Sequence, residues 1–181
     1  MSDHLGPDSQ AGRSLYFENA IWPHLAAVYN FARWMVRNHH DAEDVAQEAL
    51  VKAFRSAGTF RGTDARPWLL AIVRNSAIDF LNRAKASQTD SSSAEPADQA
   101  PGPETALIQD RRRAAVRAAI ARLPVEFREA LLLREMEGLS YKEIALVLKT
   151  PMGTVMSRLS RARALLVREL IAAKEANDDL R

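Results

Sequence analysis

Between Thr154 and Arg163 the chain carries Thr154, Ser157, Arg158, Ser160, Arg161 and Arg163, three hydroxyls and three guanidiniums within ten residues. Hydroxyls and guanidiniums donate hydrogen bonds to phosphates and base edges, and a guanidinium fork matches the paired acceptors of guanine. Nucleic-acid recognition is the chemistry they suit. Set on a helix at about 100° per residue, Val155, Leu159, Ala162 and Leu166 form one apolar face. Opposite them lie Gly153, Ser157, Ser160, Arg161 and Ala164, small or hydrogen-bonding apart from one long cation. Thr154, Arg158 and Arg163 lie on the flanks, where cations meet phosphate. An ordinary amphipathic surface helix with a solvated basic side would share this periodicity, so the neighbouring elements must decide.

They favour a helix-turn-helix. Ser140 with Glu143 three residues later forms a capping box that starts a first helix. Thr150 is expected to cap a second, with Pro151 at its first position, where no N–H is needed. Ile144, Ala145 and Leu148 are spaced to pack against Val155, Leu159 and Ala162, and small Ala145 permits a close approach. In this motif the second helix enters the DNA major groove.

Two other clusters could do chemistry. His39, His40, Asp41, Glu43 and Asp44 invite a metal, but the remaining histidines are His4 and His24, and zinc or iron sites need three or four convergent ligands. A polar helix start favoured by the dipole accounts for the cluster, and no metal site is expected. The loop Ser56–Arg66 holds two glycines, Phe60, Arg61 and Arg66. An aromatic beside arginines suits single-stranded nucleic acid, whose bases stack and whose phosphates need cations. Phe60 could equally be a core residue; Trp68 is expected in the core. No strand signal, repeat or nucleotide-binding glycine motif appears, and no Ser/His/Asp or carboxylate-pair spacing. The expectation is a protein that is not an enzyme and uses no cofactor.

The elements that position these groups are helices. One is expected from about Pro23 to Arg37. A strongly amphipathic one follows over Asp41–Arg55, with Asp41 as its cap; Ala42, Val45, Ala46, Ala49, Leu50, Ala53 and Phe54 face the core, and Asp44, Gln47, Glu48, Lys52 and Arg55 face away. A third covers Pro67–Arg83. After a stretch without large apolar residues, Ala86–Pro103, helices are expected over Glu104–Arg122 and Val125–Glu137, broken at Leu123-Pro124 and ended by Gly138.

The net charge of +2 hides an uneven distribution. Residues 16–85 hold 9 basic and 7 acidic side chains, residues 86–110 none basic and 5 acidic, and residues 111–174 14 basic and 6 acidic. The cationic excess sits with the helix-turn-helix, as phosphate binding requires. With 47% hydrophobic residues the chain can build packed cores, and without cysteine it has no disulfide. Neither a signal peptide nor a membrane span is read, so no direct membrane insertion and a cytoplasmic location are expected. The fold expected is all-α: a disordered arm (1–15), a helical domain (16–85), a flexible acidic linker (86–110), a helix-turn-helix domain (111–174) and a tail (175–181).

In this order, the stretches Asp41–Arg55, Phe60-Arg-Gly62, Trp68–Asn75 with Asp79, and Leu123-Pro124 through Arg163 resemble a bacterial RNA polymerase sigma factor of the extracytoplasmic-function group. The resemblance spans about residues 16 to 168. It implies that Asp44, Gln47 and Glu48 dock on the clamp helices of core RNA polymerase. It implies that Phe60, Arg61 and Asn75 open the minus-10 element and hold a flipped base. The helix-turn-helix would read the minus-35 element of promoter DNA as duplex, and the linker would follow the RNA-exit path. An anti-sigma factor is a further expected partner. Family members often carry a larger polar or aromatic residue where Met156 and Ser160 stand, which shifts base preference here onto Arg161, Ser157 and DNA shape. The loop Thr63–Pro67 is slightly short for the family. A stand-alone helix-turn-helix regulator is the alternative function.

Overall fold

The computed structural model describes residues 17–36, 38–57, 60, 64–87 and 104–178, with the backbone alone at 17–18, 87, 104–112 and 176–178. The described residues form helices joined by short connections, with no strand among them, and the expectation of an all-α chain holds. A π-helical turn, Phe17–Ile21, and a 3₁₀ turn, Trp22–His24, lead into α1 (Leu25–Met35). Then come α2 (His39–Ser56), α3 (Ala65–Ser87), α4 (Glu104–Arg122), α5 (Val125–Glu135), α6 (Tyr141–Leu148) and α7 (Met152–Asp178). Of the segments expected to be irregular, the arm and most of the linker lie outside the described residues.

In the N-terminal half, α1, α2 and α3 pack on one another. α1 contributes Val28, Phe31 and Met35, α3 contributes Leu69, Leu70 and Val73, and α2 lays an alanine seam of Ala42, Ala46, Ala49 and Ala53 between them. Small side chains at helical spacing let helix axes approach to the short end of the usual 8–10 Å. α2 begins two residues earlier than expected. Asn38, not Asp41, is the cap: its side-chain oxygen accepts the Asp41 N–H at 2.7 Å, while its amide donates to the Asp41 carboxylate. Phe54, expected in the core, is 38% exposed. It falls on the edge of the seam, where a large ring has no room between closely packed helices.

In the C-terminal half, α5 and α7 form the main contact, with α6 across them and α4 against α7. Pro124 starts α5, its carbonyl accepting the Phe127 and Arg128 N–H groups. Gly138 ends the connection after α5 at φ +67°, in the region glycine enters without a Cβ penalty. The capping box of α6 is formed as expected: the Ser140 hydroxyl accepts the Glu143 N–H at 3.3 Å and the Glu143 carboxylate accepts the Ser140 N–H at 2.7 Å. Hydrogen bonds from the Ser140 hydroxyl and N–H hold the Glu143 carboxyl below its ordinary range. At the start of α7, the Pro151 carbonyl takes the Thr154 and Val155 N–H groups, so the helix begins one residue later than expected. It also runs on to Asp178, through most of the expected tail.

The turn between α6 and α7 passes through Lys149, at φ 50° and ψ 48°. This is the left-handed region, costly to any residue with a Cβ. Its N–H is held by the carbonyls of Ala145 and Leu146, and the Thr150 N–H bonds the Ala145 carbonyl. Lys149→Gly removes that strain but loosens the unfolded chain. The net expectation is a gain of about 0.5–1 kcal/mol in denaturant unfolding.

Candidate nucleic-acid interface and partner-facing helix

α7 is placed by its apolar side. Val155, Leu159 and Ala162 are buried against Ile144, Val147 and Leu148 of α6 and against α5. The opposite side is open: Gly153, Ser157, Ser160, Arg161 and Ala164 are all exposed, as the angular reading requires. The Ser157 hydroxyl donates to the Thr154 carbonyl at 2.9 Å, which leaves its lone pairs facing outward. Met152 and Met156 flank this strip and are about half exposed.

The three arginines differ. Arg161 is exposed and has no ion-pair partner among the described residues. Arg163 donates through Nε and Nη2 to the Glu135 carboxylate, at 3.1 and 2.7 Å, with both side chains about half exposed. Arg158 is turned inward. Its Nη1 donates at 3.1 Å to Oε1 of Glu129, whose side chain is only 1% exposed. By angle alone Arg158 lies on a flank; the structure makes it the partner of a buried carboxylate. Glu129 itself went unremarked in the sequence, although a carboxylate directly before Ala-Leu-Leu-Leu is a signal that it must be paired.

The turn residues hold α6 to α5 by two further contacts. Arg134 donates to the Leu139 carbonyl at 2.8 Å, and its guanidinium lies 5.2 Å from the centre of the Tyr141 ring.

In the N-terminal half, Phe60 stacks at an angle on Trp68, ring centres 5.1 Å apart, and both rings are half-buried. Trp68, expected in the core, packs against it but stays partly exposed, with Phe60 as its neighbour. Arg61 lies outside the described residues. Asn75 is exposed on α3, and its side-chain oxygen accepts a hydrogen bond from Arg74 at 3.1 Å.

Asp44 and Gln47 are exposed on α2, with Glu48 beside them and half-buried. Lys52 at 2.7 Å and Arg83 at 3.1 Å pair with Glu48 and hold its carboxyl below the ordinary range, against a smaller opposing effect of burial. Lys52 also donates to the buried Ser76 hydroxyl at 3.0 Å and lies 3.7 Å from Asp79. Val51 and Phe54 continue the same face, 49% and 38% exposed. The result is a stripe three to four residues apart, acidic at one end and apolar at the other. The histidine cluster is spent locally: His39 pairs with Glu43 at 3.2 Å and lies beside the Tyr29 ring.

Comparison with known proteins covers both faces. The family described as sigma-70 region 2 matches residues 21–87, and sigma-70 region 4 matches residues 113–166. The RNA polymerase sigma-H factor of Pseudomonas aeruginosa is 42% identical over 165 residues, covering 85% of this chain and 86% of the relative. The extracytoplasmic-function sigma factor SigM of Mycobacterium tuberculosis is 39% identical over 166 residues, 88% of this chain and 80% of the relative. Among solved structures, the sigma factor RpoE of Bartonella quintana, in complex with the anti-sigma factor NepR, aligns with a TM-score of 0.67 and 28% identity over 85% of this chain and 96% of that one. Sigma factors are not enzymes. The chain belongs to the extracytoplasmic-function group of the sigma-70 family, as an alternative sigma factor that directs RNA polymerase to promoters.

Proposed function

We propose that the chain divides a promoter between its two halves, which we delimit as residues 16–85 and 111–174 joined by the acidic linker 86–110. The half with α7 reads the minus-35 element as duplex. The half with α3 opens the minus-10 element. The observation that carries this reading is the open outer strip of α7, in which Arg161 stands among Ser157, Ser160, Gly153 and Ala164, all small or hydrogen-bonding. Arg161 is the base reader, through a bidentate bond to one guanine; Thr154, Ser157 and Ser160 contact base edges or sugar-phosphate near it. The carboxylate that Arg163 pairs with is itself exposed, so Arg163 can exchange Glu135 for a phosphate. Arg158 keeps α7 on α5 and touches DNA at most in passing.

Opening the other element means unstacking a base, at a cost of a few kcal/mol. The Phe60–Trp68 pair offers a stacking surface, and Arg61 and Asn75 supply the polar contacts. Core polymerase is held on the α2 stripe of Asp44, Gln47 and Glu48, with Val51 and Phe54 as its desolvated anchor. One structural neighbour, the RpoE sigma factor of Bartonella quintana, is bound to an anti-sigma factor, and we extend such a partner to this chain. Polymerase is cytoplasmic, and so on this reading is the chain.

Run-off transcription tests the whole: with core polymerase added, the chain yields a transcript from a promoter recovered by mapping transcripts that rise on its overexpression, and without it none appears. Tight binding to an operator by the free chain, with no core-dependent transcript, contradicts the reading. Arg161→Ala is expected to lose about 1–3 kcal/mol of discrimination at one upstream base with unchanged thermal stability. Arg158→Ala shows the reverse, losing about 1–3 kcal/mol of stability because a buried carboxylate gives up a charged hydrogen bond. Glu48→Lys is expected to weaken association with core polymerase while circular dichroism stays unchanged.

A further inference from the structure

The two halves of the chain touch. α1 packs against α4 and α5, and α3 packs against α6, the first helix of the helix-turn-helix. Across this boundary Arg128 donates to the Met35 carbonyl at 2.8 Å, and Arg117 sits 5.8 Å from the Trp34 ring centre. Two ion pairs cross it as well, and in both the cation is on α3 and the anion in the C-terminal half. Arg66 donates to Glu137 at 2.7 Å. Arg74 donates through Nε and Nη2 to both oxygens of Glu129, at 2.7 and 3.2 Å.

We propose that Arg66 and Arg74 are strand-binding cations of the minus-10 surface, and that Glu137 and Glu129 occupy them in place of DNA phosphates while the two halves are closed on each other. The inference rests on the promoter reading above and names two residues and a competitor that it lacks. Arg66 and Arg74 are eight residues apart on α3, roughly 12 Å along the axis. Arg66 lies beside the Phe60–Trp68 pair in sequence, and Arg74 precedes Asn75 and donates to it. A guanidinium fork receives a carboxylate or a phosphate with the same geometry, so one anion can replace the other.

The burial is lopsided. Glu137 and Glu129 are 5% and 1% exposed, while Arg66 and Arg74 keep 34% and 23% of their side-chain surface open to solvent. A polyanion can therefore approach the cations while the carboxylates are shielded. Closure and promoter binding exclude each other. Elements centred near minus-35 and minus-10 lie roughly 85 Å apart at 3.4 Å per base pair, whereas here α3 abuts α6. Once the halves part, Glu129 still holds Arg158 and is not orphaned. Among the described residues Arg74 has no second carboxylate, so it can take a phosphate.

The test uses the full chain, its charge-neutral variants Glu137→Gln, Arg66→Gln and Arg74→Gln, and Glu126→Gln as a charge-matched control on an exposed position. Because the chain has no cysteine, dyes on Asn30→Cys and Lys174→Cys report the separation of the halves. Fluorescence anisotropy reports affinity for a random single strand of about a dozen nucleotides. All three variants are expected to open the chain. Glu137→Gln then binds the strand about 3-fold or more tightly, because the competent fraction rises. Arg66→Gln and Arg74→Gln bind about 3-fold or more weakly, and each lowers the slope of log affinity against log salt by about 0.7. Glu126→Gln changes neither readout. If the arginine variants gain affinity as Glu137→Gln does, they are closure contacts only and the proposal is overturned. It is also overturned if Glu137→Gln opens the chain without gain. Wild-type failure in core-dependent run-off transcription would instead bring down the promoter reading itself.

Discussion

The structure turns on one carboxylate. Glu129 lies almost wholly out of water and is met by a guanidinium from each half of the chain, Arg158 from α7 and Arg74 from α3. A charge in that position costs several kcal/mol unless paired, and a pair broken on one side is worse than none. Everything near it is arranged accordingly. Arg158 fastens the base of α7 to it from within its own half, and Arg74 reaches it across the boundary, so Glu129 keeps one cation when the halves part. The apolar core, which runs from Ile21 through Ala162 as one cluster, surrounds this point.

Pairing has a consequence for which arginines are available to DNA. Three guanidiniums lie within six residues on α7, yet their surroundings give them different work. Arg158 is structural, Arg163 is loosely engaged, and Arg161 is open. Charge counting treats them alike; burial separates them. The same distinction applies on α2, where Glu48 is drawn into pairs with Lys52 and Arg83 while Asp44 and Gln47 stand free of it on the exposed face. A partner that uses Glu48 must share it with those cations or displace them.

Local chemistry was readable in the sequence wherever a residue acts on its own neighbours. The Ser140–Glu143 capping box, the stop at Gly138, the break at Leu123-Pro124 and the apolar face of α7 depend on spacing of a few residues, and all four stand in the structure. What could not be read is set by contacts between distant positions. Phe54 fits a helical apolar period, but its exposure follows from how tightly the alanine seam of α2 packs. The inward turn of Arg158 depends on Glu129, 29 residues away. The approach of Arg66 to Glu137 spans 71 residues, and no local spacing announces it. Lys149 at positive φ was likewise hidden, since nothing about a lysine announces a left-handed turn.

The alanine seam on α2 carries a last implication. A helix locked by Ala42, Ala46, Ala49 and Ala53 against both neighbours has little freedom to roll or slide. Its outward face is presented as a stiff ruler, with Asp44, Gln47, Val51 and Phe54 at fixed intervals. A surface already in order surrenders little entropy when another molecule covers it, so more of the contact energy survives as affinity. The smallest side chains in the fold, none of which a partner could ever touch, thereby set how tightly the larger ones on the far side can hold.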